Sequence, residues 1–124
     1  MKNVNPVCWF DIHVSNLARA KKFYETVFNI QLVDLPEKWG KQSAFPSDYE
    51  GLNISGALVE QENRAAQGNN TIIYFASADC VTEESRVEKA NGKVIQPKTS
   101  IGEFGFISIL TDTEGNTIGI HSRK

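Results

Sequence analysis

Trp9, Asp11 and His13, at alternate positions near the start of the chain, are where this sequence first offers chemistry. They interleave with Cys8, Phe10, Ile12 and Val14, so a strand over Val7–Val14 sends the apolar set to one side and Trp9, Asp11 and His13 to the other. A carboxylate and an imidazole on one face can share and move a proton. Buried together, their pKa values are displaced and the pair works as base and acid. Asp11 and His13 are therefore the candidate catalytic residues. The plainer alternatives are an ion pair or turn hydrogen bond for Asp11, and a strand-end histidine bonded to backbone or water for His13. Trp9 is no acid or base and reads as cavity wall.

The other histidine, His121, alternates with Gly119 near the end of the chain. The candidate substrate-binding set is Trp9, Gly56, Tyr74, Phe104, Gly119 and His121. It combines aromatic surface, one imidazole, and glycines whose missing side chains leave room for a ligand. Core packing is the default for Tyr74, Phe75, Phe104 and Phe106, and relief of crowding in curled strands is the default for both glycines. Asp11, His13 and His121 are of the right types for Zn or Fe, but such a site needs ligands converging at about 2.0–2.2 Å, and the spacing shows no convergence. The expectation is no metal ligand and no cofactor, with a divalent-metal site at these three residues as the alternative. Cys8 and Cys80 belong to no CxxC or Cys/His pattern and read as two reduced thiols.

These residues need a frame. Ser15 and Asn16 supply N-cap chemistry. Leu17, Ala20, Tyr24 and Val27 then recur at helical spacing, and Asn29 is a left-handed stop. Short strands are expected over Ile30–Leu35, Lys41–Phe45 and Leu52–Val59. Residues 60–70 are polar and form the expected linker. Thr71–Ala76 is a strand, Asp79 caps a second helix over Val81–Ala90, and Asn91-Gly92 ends it. Further strands are expected over Lys93–Gln96 (stopped by Pro97), Glu103–Leu110 and Thr117–His121, with a turn over 112–116. The stretch 99–105 carries two glycines and suits a mobile loop at a cavity mouth.

The order is strand, helix and three strands, taken twice. Asn16 and Asp79, Asn29 and Gly92, and Gly56 and Gly119 are equally spaced, as a duplicated βαβββ unit requires. Each half is too small to bury its own sheet, so the halves pair. The fold class is α+β: two tandem βαβββ modules forming curled mixed sheets around a cavity. One domain spans 1–124, with module one at about 5–60 and module two at about 71–122.

Composition removes other functions. The 124 residues are 40% hydrophobic and 23% charged, with a net charge of −2 and no basic stripe, so neither nucleic acid nor an anionic membrane is an expected partner. No apolar run is long enough to span a bilayer, and MKNVNPVCWF lacks a signal-peptide core. A cytoplasmic location is expected.

The segment VSNLARAKKFYETVF, the ending DTEGNTIGIHS and the duplication together resemble the vicinal oxygen chelate superfamily. That superfamily includes glyoxalase I, bleomycin-resistance proteins and extradiol dioxygenases, and the likeness is closest to a small single-domain glyoxalase-like branch. The resemblance implies the glyoxalase/bleomycin resistance/dihydroxybiphenyl dioxygenase fold, a homodimer, and a divalent metal that polarises vicinal oxygens as a Lewis acid. Carried over residue by residue, the ligand positions fall on Trp9, Gly56, Ile73 (or Ile72) and Gly119, and none of these side chains binds a metal. The expectation is a glyoxalase/bleomycin-resistance-like protein that binds a small organic molecule between its modules. The alternative is a glyoxalase-like lyase or isomerase using Asp11 and His13, with or without a relocated metal. A third possibility is an interaction module with a vestigial cavity.

Overall fold

The computed structural model describes residues 7, 9–38, 40–48, 50, 54–61, 69 and 71–124. Cys8, and most of the linker expected over residues 60–70, lie outside them.

The first half runs β1 (Trp9–Val14), α1 (Leu17–Phe28), β2 (Val33–Asp34), β3 (Gln42–Ala44) and β4 (Ser55–Glu60). The second runs β5 (Tyr74–Ala76), α2 (Cys80–Val87), β6 (Lys93–Ser100), β7 (Phe106–Thr111) and β8 (Thr117–Ser122). Each half forms a four-stranded sheet with the same topology, β1-β4-β3-β2 and β5-β8-β7-β6. The first strand of each half pairs in parallel with the last, and the remaining pairs are antiparallel. Both sheets are mixed and open. The α+β architecture read from the repeat is the one observed.

Helix α1 starts and stops where its residues dictate. The Asn16 side chain accepts from the Arg19 N–H, and Asn29 takes the left-handed conformation at φ 54°. Its buried stripe is Ala20, Phe23, Tyr24 and Val27. Asp79 caps α2 by accepting from the Val81 N–H. A 3₁₀ turn over Glu88–Ala90 follows α2, and the left-handed stop is Asn91 rather than Gly92.

Strand β2 is shorter than the expected Ile30–Leu35 and β5 begins at Tyr74 rather than Thr71, and two further boundaries differ for identifiable reasons. Strand β6 continues through Pro97 to Ser100. It is the edge strand of its sheet, and its pairing shifts register on either side of Gln96, so a missing N–H breaks nothing essential. The strand expected from Glu103 begins at Phe106, because Gly102–Phe104 form a 3₁₀ turn and Gly105 sits at φ 109°.

The halves meet through aromatic rings. Phe75 stacks on Phe28 with centroids 4.5 Å apart and lies 6.3 Å from Phe10 and 5.6 Å from Phe45. Tyr24, fully buried, donates to Asp112 Oδ2 at 2.7 Å. Burial, reinforced by the Asp112 charge, pushes the Tyr24 phenol well above its ordinary range, so the hydroxyl stays a donor. Asp112 also accepts from the Glu114 and Asn116 backbone N–H groups and from Asn116 Nδ2. Tyr24→Phe should therefore cost about 1–2 kcal/mol in urea denaturation, because one buried bond is lost while the Asp112 turn keeps its others. An unchanged midpoint would show that this contact contributes nothing across the module boundary.

The N-terminus of α1 has no acid in its first turn. Two carboxylates come to it from distant elements, one at the end of β4 and one in the turn between β7 and β8. Glu60 Oε1 accepts from Leu17 N at 3.0 Å, and Glu114 Oε1 accepts from Ser15 N at 3.1 Å and Asn16 N at 3.0 Å. Negative charge at this end of a helix is favourable, and here it also ties α1 to both sheets.

Candidate functional site

Paired residues in a sheet share a face. On β5, β8 and β7 the register matches Tyr74 with Gly119, Ala76 with His121, and Ile107 with His121. The opposite face carries the buried Ile118 and Ile120. The Tyr74 face bounds a cleft of about 540 Å³ lined by Tyr74, Ala76, Ile101, Ile107 and His121. Among the described residues, those lining the cleft all belong to the second half.

Each wall has an identifiable cause. Tyr74 is 46% exposed and lies over Gly119, where an added Cβ would approach its ring carbons to 2.4 Å. The missing side chain of Gly119 thus makes room for Tyr74 itself. Ile101 leads into the Gly102–Phe104 turn, which closes through a hydrogen bond from Ile101 N to Gly105 O at 2.8 Å. His121 Nε2 lies 2.8 Å from the Phe104 carbonyl oxygen, which ties the turn to β8. Phe104 is 67% exposed beside the cleft, although core is the default for it and for Tyr74. Phe75 and Phe106 pack against the core as that default has it, and Phe106 also takes Lys98 Nζ at 4.6 Å from its ring centroid.

The remaining candidates lie elsewhere. Trp9, Asp11 and His13 share the other face of β1 with their β4 partners Ser55, Ala57 and Val59. Asp11 is exposed and accepts from the Trp9 indole N–H at 3.0 Å. His13 is half-buried, and its carbonyl accepts from Asn116 Nδ2 at 3.0 Å. Gly56 pairs with Phe10 and so lies on the helix side of β4, where an added Cβ would come within 2.3 Å of the Phe10 carbonyl. The equally spaced Gly56 and Gly119 therefore occupy opposite faces of their sheets. Ile73 packs against the core, leaving Tyr74 as its neighbour on the cleft face.

The residues at the expected ligand positions do not fit a divalent metal. Trp9 and Ile73 offer an indole and an aliphatic chain there, and Gly56 and Gly119 offer no side chain. Among the described residues, no three His, Cys, Asp or Glu side chains group to hold an ion.

Sequence reasoning missed Glu114. Its carboxylate is fully buried and accepts from Ser15 N, Ser15 Oγ, Asn16 N and Thr113 Oγ1, and from Arg19 Nε at 2.6 Å and Nη2 at 2.8 Å. Burial by itself would raise its pKa. The Arg19 guanidinium, the Ser15 and Thr113 hydroxyls and the Asn16 N–H outweigh burial and hold the carboxyl at about 2. The available signal was a capped helix with no acid of its own in the first turn, which calls for one from elsewhere.

Residues 7–120 match the model of the Glyoxalase/Bleomycin resistance protein/Dioxygenase superfamily. The chain belongs to that superfamily. A putative glyoxylase, CFP32, of Mycobacterium bovis is 28% identical over 116 residues, covering 90% of this chain and 43% of the relative. The chain thus spans less than half the length of the curated relatives it matches. Solved structures share the fold. TnmS3, an antibiotic binding protein from Streptomyces sp. CB03234, superposes with a TM-score of 0.73 at 21% identity, with all of both chains covered. Glyoxalase I from Zea mays superposes with a TM-score of 0.73 at 18% identity, covering 94% of this chain and 45% of the maize chain. No helix among the described residues is long and apolar enough to cross a membrane.

Proposed function

We propose that this chain binds a small, flat organic molecule in the Tyr74–His121 cleft, without a resident divalent metal. The observation that carries this reading is the composition of the cleft among the described residues: one aromatic platform, three aliphatic walls and a single imidazole. Apolar concavities with few, well-placed polar groups suit drug-sized ligands. The superfamily includes bleomycin-resistance proteins, and a structural neighbour with full coverage is described as antibiotic binding, which supports sequestration rather than turnover. The superfamily's metal-dependent chemistry finds no support in Trp9, Gly56, Ile73 and Gly119.

A thermal-shift screen of neutral aromatic compounds tests this. Binders of the folded chain should raise its melting temperature by mass action, and treatment with a chelator should leave the shift in place. Ile107→Arg, which fills the cleft with a charged chain, should abolish the shift. If no compound stabilises the chain, or if Ile107→Arg binds as well as wild type, the reading fails. Loss of binding on chelation would return the protein to metal-dependent chemistry.

A further inference from the structure

The cleft offers a ligand little polar chemistry, and the chemistry it does offer is set by one hydrogen bond. His121 Nε2 meets the Phe104 carbonyl oxygen at 2.8 Å. A carbonyl oxygen carries lone pairs and no hydrogen, so the shared hydrogen belongs to Nε2. In the neutral ring Nδ1 is then a bare lone pair. Among the described residues the Phe104 contact is the ring's hydrogen bond, and His121 lines the cleft.

The carbonyl that fixes this tautomer is itself held in place. Gly105 N donates to Gly102 O at 3.2 Å, closing the turn that contains Phe104. Gly105 sits at φ 109°, and a Cβ there would come within 2.3 Å of the Ser122 carbonyl, so the turn is seated directly against the strand that carries His121. Inverting the tautomer would set two lone pairs against each other at hydrogen-bond distance. The other polar atom of the lining side chains, the Tyr74 hydroxyl, both donates and accepts, so it does not discriminate.

We infer that His121 is the specificity-determining residue of the cleft, selecting flat apolar molecules that carry an O–H or N–H donor. Neutral phenols and aromatic N–H compounds are the class. A ligand of the same shape without a donor desolvates Nδ1 and gives nothing in return, and a site built to hydrogen-bond a ligand rejects the analogue that lacks the group. An anion places its own lone pairs against that of Nδ1. This inference rests on the cleft being a binding site.

The test compares 2-naphthol, 2-methoxynaphthalene and 2-naphthoate at a pH where 2-naphthol is neutral. Affinities come from calorimetry, and location from NMR shifts at Tyr74 and Ile107. The naphthol should bind about fivefold more tightly than the methyl ether, with the carboxylate weakest. In His121→Phe the ratio of naphthol to ether should fall to about one. Equal affinities in the wild-type protein, or tightest binding by naphthoate, overturn the inference while leaving the cleft reading standing. If none of the three shifts Tyr74 or Ile107, the cleft reading falls and takes the inference with it. Tyr74→Phe supplies the rival: a ratio that collapses there and persists in His121→Phe makes the phenol oxygen the selector and overturns the proposal. The wild-type comparison stands even if a variant fails to fold.

Discussion

Glu114→Gln should weaken the folded chain by about 2–3 kcal/mol at neutral pH and flatten its loss of stability in acid. The carboxylate is fully buried and binds across the module boundary to the backbone of Ser15 and Asn16 and to the side chain of Arg19. It titrates at about 2 in the folded chain, against 4.5 for an ordinary glutamate. In the window between these values the unfolded chain binds the proton first, so stability rises with pH. The contribution is complete above pH 4.5 and is lost as the pH falls through about 2. Arg19 is 52% exposed and screened by solvent, so the charged part is discounted to on the order of 2 kcal/mol. Urea midpoints of wild type and variant, measured from about pH 6 down to pH 2.5, decide the matter. Two curves falling in parallel would mean that protonation of Glu114 is not what drives acid unfolding.

Alanine at the two equally spaced glycines should have opposite consequences. At Gly56 a Cβ would stand 2.3 Å from the Phe10 carbonyl and 2.6 Å from its ring, on the packed side of β4. Backbone cannot step aside cheaply, so Gly56→Ala should cost about 2–3 kcal/mol of stability. At Gly119 the Cβ meets the Tyr74 ring at 2.4 Å and 2.5 Å. That ring belongs to an exposed side chain, which can swing away. Gly119→Ala should leave stability within about 1 kcal/mol of wild type and weaken binding of 2-naphthol about five- to tenfold, because the platform leaves the cleft. Denaturation and calorimetry on both variants give a two-by-two comparison. A large stability loss at Gly119, or none at Gly56, would show that the faces have been assigned the wrong way round.

Much of the frame was legible in the residues. The caps at Asn16 and Asp79 and the left-handed stop at Asn29 are local chemistry, needing only a side-chain oxygen near a free N–H or a residue tolerant of positive φ. The repeated order of strand and helix was legible for the same reason: period two and period three-to-four are properties of neighbouring residues. The strand boundaries at Pro97 and Gly105 were not, because a missing N–H is tolerated where β6 forms the sheet edge, and the positive φ of Gly105 belongs to a turn seated against Ser122.

The sequence by itself determined that two βαβββ units exist, where their helices begin, and that Trp9, Asp11 and His13 share a face. Tertiary structure decided which aromatics are exposed, which glycine lies on which face, and where the Glu114 and Asp112 carboxylates go. A one-residue change in strand register exchanges the two faces of a sheet, so Gly56 and Gly119 look alike in the chain and lie on opposite sides in the fold. Glu114 reaches Ser15 and His121 reaches Phe104 only after separate strands and turns have been brought together, and no local pattern encodes such meetings.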